Sequence, residues 1–157
     1  MTREEEILAK LQALCVKREY CTCDIMRKAK ALLKEDADAD ARANLLVNSL
    51  VADGFVDDMR YCSAYAREKS AFDGWGPLKI KSALLLKRID RELICKALTE
   101  VDEERGKEKL ERVLACKWKS LSGDPNGKFK LIRFALSRGY EYETIRPIVE
   151  NIVSVSD

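Results

Sequence analysis

An adjacent pair of carboxylates, six cysteines and two short glycine-containing loops are the features of this sequence that could do chemistry. Asp57-Asp58 has the residue types for acid/base or magnesium work. It directly follows Gly54-Phe55-Val56 and precedes a helical pattern, however, where an aspartate caps the first turn. The chain contains no histidine, which removes the commonest general base, the usual zinc ligand and any Ser-His or Cys-His nucleophile pair. Cys21-Thr22-Cys23 is a Cys-x-Cys, not the Cys-x-x-Cys of zinc ribbons or thioredoxins, and no second pair follows it. Cys62, Cys95 and Cys116 fall inside helical patterns, where a free thiol behaves as a small hydrophobe. Gly123-Asp124-Pro125-Asn126-Gly127-Lys128-Phe129 has three residues between its glycines where a phosphate loop has four. Phe129 also stands where Ser or Thr would hold magnesium, and no strand precedes the loop. Gly74-Trp75-Gly76-Pro77 lacks the third glycine and the flanking strand of a dinucleotide site. It reads as a helix corner closed by Trp75 folding onto the core, the alternative being an exposed aromatic anchor. The expectation is no catalytic residue, no metal and no cofactor.

The charges are better ordered. Net charge is +2, but residues 1–56 carry −1, 57–90 carry +2, 91–104 carry −3, 105–138 carry +7 and 139–157 carry −3. A local excess of that size suits nucleic acid or an acidic protein surface. On the helix expected near 105–119, Arg105, Lys109, Arg112 and Lys119 share the side opposite Leu110, Leu114 and Leu121. Near 127–138, Lys130 and Arg133 form a stripe away from Phe129 and Leu131, flanked by Lys128 and Arg138. Lys81 and Arg88 stack seven residues apart, next to Lys79 and Trp75, and Arg60, Arg67 and Lys69 come from the preceding helix. These are the candidate contact residues. The 78–88 helix is too apolar to be the recognition helix of a helix-turn-helix reader.

The elements that must carry these side chains are helices almost throughout. Thr2 caps a helix bearing Ile7, Leu8, Leu11 and Leu14, with Glu4, Glu5 and Glu6 at the positive end of its dipole. Thr22 is expected to cap a second helix. Asp40 should cap a third, which buries Leu45, Leu46, Val47 and Leu50 and ends at Gly54. Asp57 or Asp58 caps a fourth with Cys62, Tyr65, Ala66 and Phe72 inward. Gly76-Pro77 opens a fifth, apolar on two sides through Ile80, Ala83 and Leu84 and through Leu78 and Leu85, hence sandwiched between neighbours. Asp90 caps a sixth, and a longer helix runs from about Asp102 to Leu121. Two more follow near 127–138 and 143–153, with Pro147 in the first turn of the last. No stretch sustains the alternation of a strand.

The chain of 157 residues is 46% apolar and 36% charged, ordinary for a globular protein and long enough to bury a core without disulfides. The apolar run 83–86 is far too short to span a membrane. The opening Thr2-Arg3-Glu4-Glu5-Glu6 lacks the basic-then-apolar order of a signal peptide. The expectation is therefore a cytoplasmic, monomeric protein with reduced cysteines.

A shift of 51 residues aligns Gly76 with Gly127, Ile80 with Leu131, Lys87 with Arg138, Ile89 with Tyr140 and Ile94 with Ile145. A weaker third copy runs over 20–51. Units of that size cannot bury their apolar faces alone. The expected fold is all-α: three tandem three-helix modules, 1–56, 57–101 and 102–157, in an elongated, curved helical-repeat array.

Several segments resemble the RecX family of bacterial recombinase regulators. They are Arg18-Glu19-Tyr20, Gly54-Phe55-Val56-Asp57-Asp58-Met59-Arg60-Tyr61, Gly74-Trp75-Gly76-Pro77-Leu78-Lys79-Ile80 and Ile89-Asp90-Arg91-Glu92-Leu93-Ile94. The third unit adds Lys130-Leu131-Ile132-Arg133-Phe134-Ala135-Leu136 and Arg138-Gly139-Tyr140. Two residues depart from the pattern: Arg88 stands where the family usually has Gly after Lys, and Cys21 replaces a common Ser. The resemblance implies three tandem three-helix modules without a cofactor. It also implies binding in the groove of the RecA filament on DNA, with inhibition of RecA ATPase, strand exchange and co-protease activity and hence of the SOS response. The basic residues would then face the filament, touching RecA and single- or double-stranded DNA, while Asp57-Asp58 and Gly76-Pro77 would be scaffold. The alternative is a DNA-binding helical protein acting through its basic surface independently of RecA.

Overall fold

The computed structural model describes residues 1–155, and every regular element among them is an α-helix. In chain order these are α1 (Arg3–Lys17), α2 (Thr22–Leu33), α3 (Ala39–Ala52), α4 (Asp58–Asp73), α5 (Pro77–Leu86), α6 (Arg91–Thr99), α7 (Glu103–Ser120), α8 (Gly127–Ser137) and α9 (Tyr142–Val155). The fold is an all-α helical repeat. The pair α5–α6 recurs as α8–α9 at the 51-residue offset, and Ile80 and Leu131, like Ile94 and Ile145, are equivalently buried. None of the helices described is long and apolar enough to cross a membrane. The described residues group into two compact units, one of residues 1–62 with 85–94 and a second of 63–84 with 95 onward.

The first unit is built on helices with one buried stripe each: Ile7, Leu11 and Cys15 on α1, Ile25, Ala29 and Leu33 on α2, and Ala43, Leu46, Val47 and Leu50 on α3. Successive members lie three or four residues apart, the spacing that stacks side chains on one helix face. Thr2 forms a reciprocal capping box with Glu5. Asp36, in the α2–α3 turn, pairs with Arg3 at 3.0 Å and Arg42 at 2.9 Å.

Other parts of the first unit depart from the pattern. Thr22 is the first residue of α2 and Cys21 is its N-cap, without a side-chain hydrogen bond. The Thr22 N–H instead donates to Asp58 Oδ1 at 2.7 Å. Asp40 does not cap α3, whose N-cap is Asp38 in the left-handed region. Leu45 is 70% exposed, because it projects about 160° away from Leu46's neighbour Val47 at 100° per residue. The acidic pair divides its work: Asp57 accepts the Arg60 N–H at 3.1 Å as the cap of α4, while Asp58 holds the start of α2.

In the second unit α7, α8 and α9 close over Leu110, Leu114, Leu131, Ala135, Tyr140, Ile145 and Val149. Two helix corners dock there backbone to backbone. The Gly76 N–H donates to the Arg138 carbonyl at 2.6 Å and the Leu78 N–H to the Gly139 carbonyl at 3.0 Å. The unsatisfied amides at the start of α5 thus meet the unsatisfied carbonyls at the end of α8, and the two helix dipoles meet with opposite sign. A side chain at position 76 would collide with the Gly139 carbonyl and the Tyr140 ring.

Three apolar expectations in α4, α5 and α9 need correction. Phe72 is 65% exposed, since the buried stripe of α4 is Cys62, Ala66 and Ser70 and Phe72 lies well round the helix from it. Helix α5 is not sandwiched: Leu78 is exposed and Leu86 is 83% exposed. Pro147 lies inside α9, not in its first turn, because the helix already begins at Tyr142.

Candidate interaction surface

Five of the predicted contact residues form aromatic-supported clusters in the second unit. Lys69 and Lys79 place their ammonium groups 4.8 and 4.3 Å from the centre of the Trp75 ring, whose edge meets Tyr65. Trp75 is half-buried, folded onto its own corner, and its carbonyl accepts the Tyr140 hydroxyl at 3.3 Å. Lys69 also pairs with Asp73 at 3.2 Å.

The second cluster lies along α7 and α8. Lys117 and Arg138 sit 5.2 and 4.9 Å from the centre of the Phe134 ring, and Arg133 lies 5.9 Å from that of Phe129. Lys117, Lys130, Arg133, Phe134 and Ser137 line one shallow depression. A cation over an aromatic face is attracted by the ring quadrupole and stays solvent-facing. Lys130 is held by Asp124 at 2.6 Å, and that hydrogen bond keeps the Asp124 carboxyl below its ordinary range. Lys117, Arg133 and Arg138 have no ion-pair partner among the described residues. Between residues 112 and 140 the sequence holds seven basic side chains against one carboxylate, Asp124, so little in the chain competes for these cations.

The arrangement differs from the expected stripes. Arg133 is not turned away from Phe129: the two lie four apart on one helix face, and Phe129 is 62% exposed. The α7 stripe is shared among different neighbours. Arg105 reaches Phe72 at 5.9 Å and lines a crevice with Arg67 and Asp102, whereas Arg112 lines a groove with Glu108, Ile148 and Ile152. The Lys109 stem packs beside Gly74. Lys128 is exposed and Lys81 half-buried, neither with an ion-pair partner among the described residues.

In the first unit Arg60 is committed to the scaffold. Its guanidinium contacts Glu19 at 2.7 Å and donates to the Gly54 and Phe55 carbonyls, and the bond to Glu19 raises its pKa. Arg88 lines a basin with Arg27, Lys30 and Lys87. Its neighbour Lys87 is tied to Asp24 at 2.9 Å.

Sequence reasoning missed Lys117, while Arg27 and Lys30 beside Arg88 are already paired with Asp24 at 3.9 Å and Asp40 at 3.8 Å. The signal for Lys117 was the carboxylate-free run around it, which a search for a single helical stripe passes over. Among the thiols, Cys21 and Cys62 are buried and burial pushes each up to about 11, whereas Cys95 and Cys116, also within helices, are exposed.

Comparison with known proteins matches residues 57–98 to the second three-helix domain of RecX and residues 103–149 to its third three-helix domain. A regulatory protein RecX of Clostridium tetani is 29% identical over 103 residues, 63% of this chain and 47% of that protein. The chain thus spans about half the length of that relative. One from Neisseria meningitidis serogroup B is 27% identical over 153 residues, 96% of this chain and 94% of the relative. The crystal structure of a regulatory protein RecX superposes with a TM-score of 0.78 at 19% identity, covering 94% of this chain and 71% of that one. At that identity the likeness establishes the fold.

Proposed function

Because the chain belongs to the RecX family, we propose that it is a non-enzymatic regulator of the RecA recombinase. It binds in the groove of the RecA–DNA filament and lowers ATPase, strand exchange and co-protease activity, and with them the SOS response. It does so as a monomer without a cofactor, through modules 1–56, 57–101 and 102–157. The relatives' name, regulatory protein RecX, supports the regulatory role. The observation that carries the choice of surface is the set of unpaired cations on α7 and α8, Lys117, Arg133 and Arg138, held over exposed or half-buried rings. Such groups meet an acidic surface without first breaking an internal ion pair. Lys69, Trp75 and Lys79 extend this surface, while Arg60 belongs to the scaffold and is left out of it.

The test is the ATPase rate of pre-formed RecA filaments on single-stranded DNA, titrated with the chain and with a Lys117→Glu, Arg133→Glu, Arg138→Glu variant. The chain is expected to inhibit below one copy per RecA protomer. Reversal of three interface charges at about 1 kcal/mol each raises the half-inhibitory concentration about 100-fold. Unchanged inhibition by a folded triple variant would overturn the surface assignment. No effect of the parent chain on the ATPase, together with binding to bare DNA that weakens steeply with salt, would replace the RecA reading by independent DNA binding.

A further inference from the structure

A basin of about 380 Å³ in the first unit has no part in the reading above. Four cations line it: Arg27 and Lys30 from α2, and Lys87 and Arg88 from the corner after α5. Asp58 is the carboxylate on the lining, and its Oδ1 already accepts the Thr22 N–H at 2.7 Å. Lys87 is tied to Asp24 at 2.9 Å. The remaining contacts of these cations are loose. Arg27 stands 3.9 Å from Asp24 and Lys30 3.8 Å from Asp40, with the Arg27 side chain 74% and the Asp40 side chain 83% exposed. Ion pairs that long and that wet are worth little. Arg88 is exposed and has no ion-pair partner among the described residues. An anion entering the basin therefore displaces weak contacts and no buried one. Thr22 and Cys23, the first residues of α2, also line it, so the positive end of that helix dipole adds to the field.

The backbone of Arg88 is a second, independent observation. Its φ is 58, in the left-handed region, where the matching corner of the repeat has Gly139 at φ 93. A residue with a β-carbon is strained there, and such strain persists where the side chain has work to do. In this basin the work is charge, because Arg88 adds the cation that lacks an internal partner. A carboxylate would satisfy one of these cations, as Asp24 satisfies Lys87. A terminal phosphate carries close to two charges and three acceptor oxygens, enough for the Arg27 and Arg88 guanidiniums and the Lys30 ammonium together. We propose that this basin is a binding site for a terminal phosphate group, free or on a small molecule, held by Arg27, Lys30 and Arg88. Arg88 makes the site, since glycine would serve the corner and leave the basin without its unpaired cation. The site stands whether or not the chain regulates RecA.

The experiment follows the backbone amides of Thr22, Cys23 and Arg88 and the arginine Nε–H resonances of the full chain by NMR. Inorganic phosphate, acetate and an oligothymidylate without terminal phosphates are titrated at constant ionic strength and about pH 8, where phosphate is largely dianionic. Phosphate is expected to saturate these shifts in the millimolar range and acetate not to saturate them. Arg88→Gly should weaken phosphate binding about tenfold or more, the equivalent of one charge-assisted hydrogen bond. Glycine suits the left-handed corner, so that loss is not a loss of fold, and a thermal melt checks it. Lys30→Gln should weaken binding to a similar extent, whereas Lys130→Gln on α8 should leave it unchanged. Phosphate shifts that do not saturate, an acetate response equal to that of phosphate, or phosphate binding unchanged by Arg88→Gly overturns the proposal. Saturable oligothymidylate binding at the same resonances, tighter than that of phosphate, overturns the terminal phosphate as ligand and assigns the basin to a nucleic-acid backbone.

Discussion

Replacing Arg88 by glycine should make the protein more stable. Arg88 has φ 58, the left-handed region, and under the 51-residue repeat its counterpart is Gly139 at φ 93. The corner after α5 and the corner after α8 thus need the same backbone turn, and in one of them the chain supplies a residue with a β-carbon. For an L-residue that conformation costs about 1–2 kcal/mol. Glycine adds freedom to the unfolded chain worth about 0.5–1 kcal/mol. The Arg88 side chain is exposed and has no ion-pair partner among the described residues, so its removal subtracts little. The net gain for Arg88→Gly is about 0.5–1 kcal/mol, which at about 2–4 °C per kcal/mol for a chain of this size raises Tm by about 1–4 °C. Urea denaturation should show a higher midpoint at unchanged slope. Arg88→Ala, which keeps the β-carbon, should show no gain. An Arg88→Gly variant no more stable than Arg88→Ala would refute the reasoning, which requires the strain relieved at this position to exceed the freedom glycine adds to the unfolded chain. The reciprocal change is severe. A β-carbon at Gly139 would lie 2.5 Å from the Lys79 nitrogen and 2.9 Å from its Cα. Strain and overpacking together predict a loss of about 2–5 kcal/mol for Gly139→Ala.

Further outcomes follow from the same geometry. Pro147 denies the Glu143 carbonyl a helical donor inside α9, so Pro147→Ala should raise stability by up to about 3 kcal/mol in a denaturation series. Asp58→Ala leaves the Thr22 N–H without its acceptor and should cost about 1–3 kcal/mol. Asp57→Ala removes a cap and should cost about 1 kcal/mol. Neither change should alter the proposed RecA inhibition per folded molecule, whereas loss of inhibition by a folded Asp57→Ala protein would mark the pair as functional. At pH 8, iodoacetamide followed by mass spectrometry should modify Cys95 and Cys116 well before the buried Cys21 and Cys62. Those two thiols are raised from the ordinary 9.0 to about 11 by burial, so folding favours their neutral form. Their contribution to stability is complete below the unfolded value near 9 and is lost as pH rises through about 11. A chain whose Cm stays flat over that interval would contradict the burial of both.

Local signals reported local structure in part. The Thr2 cap and the helix-ending glycines at 54 and 74 are decided within a few residues, whereas Thr22 and Asp40 have the residue type of a cap and do not cap α2 and α3. The spacing of Ile80, Ile94, Leu131 and Ile145 carried the repeat as well, since a buried stripe has to recur wherever a packing unit recurs. What spacing could not decide was which neighbour lay on the other side of a helix. Leu86 has the right residue type for a core but is 83% exposed, and only the placement of other helices determines that, whereas the angular positions of Leu45 and Phe72 already set them off the buried stripes of α3 and α4.

The candidate surface was legible to the same limited extent. Charge counting located the basic region at 105–138, but charge does not reveal which cations are already paired. Arg60 and Lys130 look identical to Arg133 in sequence, and they differ because Glu19 lies 41 residues from the first and Asp124 folds back onto the second. Nor does residue type separate a helix-corner glycine from one that admits another backbone. Gly76 and Gly139 lie in different repeats, and each leaves room for the other's corner. The two hydrogen bonds between those corners join the start of one repeat's middle helix to the end of the next repeat's middle helix. Ser70, Trp75 and Tyr140 gather around the same junction. That corner contact is made backbone to backbone between residues far apart in the chain, so neither its partners nor its place could be read from the residue types of either corner.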